Sequence, residues 1–107
     1  ATTEIYTLSL HDALPIWAAM WQVLEDHGAL GNSIGRMGHG LGMLLTEWPS
    51  IHPDDQNVLE PGAVITLEPG MIFAPGRQLV HEENIVITEN GAQYLTRRAP
   101  PEIPVIR

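Results

Sequence analysis

Four side chains in this sequence combine metal-binding chemistry with settings in which such a group needs explaining. His39 sits between Gly38 and Gly40, Glu68 closes an apolar run just before Pro69-Gly70, and Glu82 and Glu83 sit in the middle of the strand that continues as Ile85-Val86-Ile87. Burying an ionised carboxylate in a sheet costs several kcal/mol unless a cation or hydrogen bonds compensate. A divalent metal would supply that compensation. The chain has no cysteine, so disulfides, thiolate zinc sites and cysteine nucleophiles are excluded, and any ion must be held by nitrogen and oxygen. Imidazole with carboxylates suits Mn, Fe, Co or Zn, and a bridging carboxylate suits a pair of ions about 3.5–4 Å apart, which lowers the pKa of bound water and polarises a carbonyl. A plainer reading stands beside this one. A histidine in a glycine loop is more often a hydrogen-bonded structural residue, and a glutamate at a strand end is more often solvated.

These residues must be positioned by a small scaffold. The chain has 107 residues, 44% of them hydrophobic and 17% charged, too apolar for a disordered polypeptide. Thirteen acidic residues face five basic ones, a formal charge of −8. That balance repels a phosphate backbone and argues against nucleic-acid binding. Uninterrupted apolar stretches are only a few residues long, far below the ~20 needed to cross a bilayer.

Residues 17–30 (WAAMWQVLEDHGAL) read as the end of a helix, with Trp17, Met20, Trp21 and Leu24 on one face and Gly28 as the C-cap candidate. Residues 31–42 hold five glycines and read as a loop leading into a short strand. A connection over residues 48–62, rich in Pro and Asp, precedes a β-branched strand at 63–67 (AVITL), and a turn follows Glu68. Residues 71–74 form another short strand, 78–88 (QLVHEENIVIT) one long strand, and Glu89-Asn90-Gly91 a hairpin turn from which 92–96 pair back. The proline-rich tail is extended along the surface. One helix end and about five strands give an α+β class with a curved, mostly antiparallel sheet and a helix packed on it. A single short helix covers little of such a sheet, so the chain is expected to be an incomplete domain.

The first sixteen residues stand apart. ATTEIYTLSLHDALPI matches, letter for letter, the in-frame translation of a common sequencing-library adapter, whose trailing T can open the Trp17 codon. It lacks the positive n-region of a signal peptide. On this reading residues 1–16 are non-native and 17–107 are the C-terminal part of a catalytic domain truncated upstream. His11 and Asp12 are then no catalytic pair, and without Glu4 and Asp12 the chain is still acidic.

The ordered set G-H-G-L-G (38–42), L-E-P-G (59–62), V-I-T-L-E-P-G (64–70) and E-E-N-I-V-I-T-E-N-G (82–91) resembles the C-terminal part of the pita-bread metallohydrolase family, which contains methionine aminopeptidase, Xaa-Pro aminopeptidase, prolidase and creatinase. The resemblance runs from Trp17 to about Thr96. It implies two divalent ions, with His39 as the imidazole ligand, Glu68 as a ligand that also shuttles protons, and Glu82 as the carboxylate bridging both ions. His39 and Glu68 are the implied catalytic residues. Glu83 is the candidate if the register slips by one, because adjacent strand residues face opposite sides. The family's remaining ligands are two aspartates on an earlier strand pair, upstream of everything present; Asp54 and Asp55, in the polar connection, read as residues of a solvated loop.

The resemblance implies a cytoplasmic amide hydrolase acting on a peptide or small amide, first as an Xaa-Pro aminopeptidase or dipeptidase, with a homodimeric parent. One departure favours a creatinase-like C–N hydrolase: many peptidases of the family carry a second histidine seven residues after the ligand, where this chain has Thr46. A non-catalytic binding module on the same fold is a third possibility, against which stand the three intact ligand positions. His27, His52 and His81 read as helix-end, loop and opposite-face residues, and Arg36 as a surface residue that could meet a substrate carboxylate.

Overall fold

The structure, a computed structural model, describes residues 13–32 and 35–107. Helix α1 spans Ala13–Asp26 and is followed by strands β1 (His39–Gly40), β2 (Glu47–Ser50), β3 (Val64–Leu67), β4 (Gly70–Ala74), β5 (Arg77–Val80), β6 (Glu83–Thr88) and β7 (Gly91–Tyr94). Helix α1 stops where the sequence places its cap. Gly28 has φ +90°, its N–H bonds the Glu25 carbonyl, and the Ala29 N–H reaches back to Leu24. These two bonds satisfy carbonyls that the helix end would otherwise orphan. The helix begins before Trp17, so residues 13–16 of the adapter-like stretch lie in its first turn and the fully buried Ile16 joins the core; residues 1–12 lie outside the described residues.

Five strands form one sheet in the order β2-β1-β3-β6-β7, and β4 and β5 form a separate pair. Every pairing is antiparallel, as expected, but β1 with β3 and β3 with β6 pair strands that are not consecutive in the chain. The expected long strand over 78–88 is instead two strands in two sheets. The divide falls opposite Pro69, whose carbonyl accepts the His81 N–H but which has no N–H to return, so the ladder cannot continue through it. A second difference is that β1 lies inside the stretch read as a glycine-rich loop, and β2 runs on from the short strand expected after it into the stretch read as the Pro- and Asp-rich connection. Pro49 hid β2. A strand containing proline is tolerated at a sheet edge, and β2 is the edge.

The core lies on one face of the large sheet. Ile65, Ile85, Ile87 and Ala92 pack there with Ile16, Ile51 and Leu59, and Trp17 and Met20 of α1 close over them. Burial alternates along β6: Glu83, Ile85 and Ile87 are buried while Asn84, Val86 and Thr88 are half-exposed. That period of two sends residues 82, 84 and 86 to the face away from this core. It is the feature that positions the site.

Asp55 corrects the solvated-loop reading. It is only 8% exposed, and its carboxylate accepts the backbone N–H groups of Ser50 and Asn57 at 2.7 Å each, with the Asn57 side chain as a third donor. Asp54 next to it is exposed, as expected. Burial alone would raise the Asp55 pKa, but the donated hydrogen bonds, with His52 nearby, hold it below the usual value of 3.8. A depressed folded-state pKa stabilises the fold fully above the unfolded value and is lost as pH falls through the folded one. Unfolding free energy should therefore decline below about pH 4, and Asp55→Asn should flatten that acid limb while costing about 1–3 kcal/mol near neutrality through its unsatisfied donors. Urea melts from pH 2.5 to 7 measure both.

Candidate metal centre

His39 is held by three neighbouring segments. Its backbone N–H donates to the buried Thr66 Oγ1 at 3.2 Å, Met37 and Gly38 exchange backbone bonds with Ile51, and the Glu68 N–H donates to the Met37 carbonyl at 2.8 Å. Close backbone approach makes the flanking glycines necessary. A Cβ on Gly38 would strike the Thr66 carbonyl and one on Gly40 the Trp48 carbonyl. The His39 side chain is 8% exposed, and its Nδ1 lies 2.8 Å from the Gly40 carbonyl. A carbonyl only accepts, so Nδ1 carries the proton and the Nε2 lone pair is left for a ligand. Nε2 lies 3.6 Å from Glu68 Oε2.

The carboxylates follow from register. β3 and β6 pair Thr66 with Asn84 and Leu67 with Glu83, so one step further Glu68 stands opposite Glu82. Like charges directly across a strand pair are destabilising, and among the described residues no arginine pairs with either. His39, Glu68 and Glu82 nevertheless each offer a ligand atom within 4.8 Å of the others. An N,O,O donor set with an oriented imidazole lone pair and two opposed carboxylates fits a divalent cation of the Mn, Fe, Co or Zn type. Asn84 adds to this. It shares a strand face with Glu82, and its Oδ1 is buried without a partner, a costly state for a polar atom unless a further donor belongs there.

Glu83 points the other way and does different work. It is buried, accepts the Ala99 N–H at 2.9 Å, and lies 3.1 Å from His81 Nε2. Its carboxylate ties the C-terminal tail to the sheet rather than joining the donor cluster. His27 contacts the Val23 carbonyl and His52 stands near Asp54; neither joins the cluster. Thr46 is exposed, in the bend just before β2. The sequence reading missed Thr66 and Asn84 as supporting residues. Both sit two residues from a singled-out glutamate, so strand periodicity could have found them.

The stretch carrying this geometry, residues 13–89, matches the model of metallopeptidase family M24. The chain belongs to family M24. An Xaa-Pro dipeptidase of Pyrococcus furiosus is 38% identical over 76 residues, covering 71% of this chain and 22% of that protein. Among solved structures, the prolidase from Pyrococcus furiosus superposes with a TM-score of 0.73 at 30% identity, over 92% of this chain and 31% of that one. The X-Pro aminopeptidase from Thermotoga maritima gives 0.71 at 26% identity, over 98% and 31%. This M24 chain thus spans about a fifth to a third of the length of these relatives. All three donors lie inside the M24 match, and so do Thr66, Glu83 and Asn84. No helix among the described residues is long and apolar enough to cross a membrane.

Proposed function

We propose that residues 17–107 are the C-terminal part of the catalytic domain of a metal-dependent amide hydrolase, an Xaa-Pro-type aminopeptidase or dipeptidase, and that the sixteen residues ahead of them are adapter-derived. Burial of Ile16 is compatible with that origin, because the hydrophobic effect is non-directional and accepts an isoleucine from any source. The convergence of His39, Glu68 and Glu82 within 4.8 Å carries the reading. His39 Nε2, Glu68 and Glu82 would hold the divalent ions that the family resemblance implies, together with ligands from the remainder of the parent. When bound, such ions lower the pKa of water and polarise the substrate carbonyl.

The chain's own residues supply the rest. The Gly40 carbonyl keeps the His39 proton on Nδ1, so the ring stays in one tautomer throughout. Glu68 Oε2, beside the imidazole, takes the proton of the attacking water and returns it to the departing amine, as a carboxylate within hydrogen-bond reach of both can do. A creatinase-like C–N hydrolase is the second reading, favoured by Thr46 where a histidine would otherwise offer a second imidazole. The test is hydrolysis by the intact parent enzyme, stripped by a chelator and reloaded with Mn²⁺ or Co²⁺, of an Xaa-Pro dipeptide against creatine. Metal-dependent turnover of the dipeptide is expected. Turnover of creatine alone selects the second reading, and turnover that survives chelation contradicts both.

A further inference from the structure

Glu82 is the donor with the least support from the fold. It is exposed, whereas His39 is buried and Glu68 half-buried, and it lies in the step between the end of β5 at Val80 and the start of β6 at Glu83, outside both ladders. A carboxylate in such a step needs something else to hold its backbone if it is to keep facing the other two donors. Its two neighbours in the chain meet at one atom. Oε1 of the buried Glu83 accepts the Ala99 N–H at 2.9 Å and lies 3.1 Å from His81 Nε2. We propose that the C-terminal tail acts through this bond as a strap that fixes the direction of Glu82, which makes Glu83 a positioning residue of the metal centre. The inference rests on the donor cluster and deepens it, from which residues bind the ion to what orients one of them.

Alternation places residues 81 and 83 on the face opposite Glu82, so the link between their side chains spans the Glu82 backbone from behind. Further contacts brace that link. The His81 N–H donates to the Pro69 carbonyl at 3.1 Å, and the Leu95 N–H donates to the Asn84 carbonyl at 3.0 Å, drawing the chain back beside β6 as it leaves β7. Three residues on, the Arg98 guanidinium lies 5.5 Å over the Tyr94 ring, a favourable cation–π distance. Pro100 prepares the donor, because the residue before a proline is held in the extended region.

Nothing in the tail is anchored by burial. Every residue from 95 to 107 is exposed, the apolar Ile103, Val105 and Ile106 included. Its attachment to the sheet beyond Arg98 therefore falls on the Ala99–Glu83 bond. Burying a carboxylate is costly unless hydrogen bonds compensate, and here that compensation comes from the tail and from the residue just before Glu82.

The test compares wild type with Ala99→Pro, which removes the donor, Glu83→Leu, which removes the acceptor, Glu83→Gln, which keeps an acceptor oxygen, and a chain ending at Pro101, which keeps the bond and loses the rest of the tail. In ¹⁵N relaxation of the chelator-treated chains, the Glu82 amide is expected to show an order parameter of about 0.85 in wild type, Glu83→Gln and the shortened chain, and below about 0.6 in Ala99→Pro and Glu83→Leu. Ile65 and Ile85 should stay rigid throughout. Mn²⁺ affinity on the same samples should fall about tenfold in those two variants, the low end of what an outer partner of a metal ligand contributes. Combining the two should cost no more than either alone, since both break one bond. A rigid Glu82 amide in Ala99→Pro or Glu83→Leu, a Glu83→Gln chain that behaves like Glu83→Leu, or a loss of order at Glu82 matched in both variants by the same loss at Ile65 and Ile85 would overturn the proposal. Absence of Mn²⁺ binding by wild type would remove the donor cluster as a metal site, while the order parameters still decide whether the strap holds Glu82.

Discussion

Glu68→Gln in the intact parent enzyme is expected to lower kcat by about 10²- to 10⁴-fold, the range that a positioned proton carrier contributes. The substitution keeps the size of the side chain and one carbonyl oxygen. It removes the negative charge and the site that accepts a proton beside His39 Nε2, 3.6 Å away. Two effects could be confounded, loss of proton transfer and loss of metal, so metal content is measured by mass spectrometry on the same samples. A variant that retains its metal while losing the rate locates the defect in proton transfer. Unchanged kcat with metal in place would remove Glu68 from the reaction.

The second large effect concerns stability. Gly40→Ala is expected to destabilise the chain by about 3–4 kcal/mol, at the upper end of what single substitutions do. The added Cβ would meet the Trp48 carbonyl, its carbon at 2.7 Å and the Glu47 carbonyl oxygen at 3.0 Å. All three are backbone atoms of β2, and Gly40 is pinned on its other side by Ile65 of β3. Neither strand can yield without breaking its own ladder. The carbonyl that orients the His39 ring belongs to this residue, so the little folded protein that remains should also bind metal poorly. Urea denaturation followed by tryptophan fluorescence gives the stability change. A loss below about 1 kcal/mol would mean that β1 and β2 are not so closely apposed.

The residues of the cluster could be singled out because their surroundings are anomalous for their type, a histidine between glycines and glutamates joined to β-branched runs, but each signal is weak alone and it was the family resemblance that joined them into one site. Periodicity says only that Glu82 and Glu83 face opposite sides, and the family's spacing before the I-V-I-T run picked Glu82; the structure sends the two to opposite faces, the second to the Ala99 N–H. Helix α1 and its Gly28 cap were legible for the same local reason, since φ-permissive glycine and a three-to-four spacing are properties of a short window. What failed to show in the sequence was non-local. The break between β5 and β6 depends on Pro69, more than ten residues upstream, occupying the pairing position opposite His81. The strand β2 contains a proline that only an edge tolerates, and edges are defined by the whole sheet. Asp55 was assigned to solvent from the composition of its neighbours, whereas its burial comes from backbone donors that converge on it only once the loop has closed.

The central claim is that three side chains far apart in sequence converge on a shared cation site. Calorimetric titration of the chelator-stripped chain with Mn²⁺ or Zn²⁺, in parallel for wild type, Glu82→Gln and Glu83→Gln, tests it most directly. The account predicts weak but saturable binding by wild type, a loss of at least about tenfold in affinity for Glu82→Gln, no less than a partner one step removed from a metal costs, and wild-type affinity for Glu83→Gln. Absence of saturable binding in wild type, or a loss that follows Glu83 instead of Glu82, would contradict it.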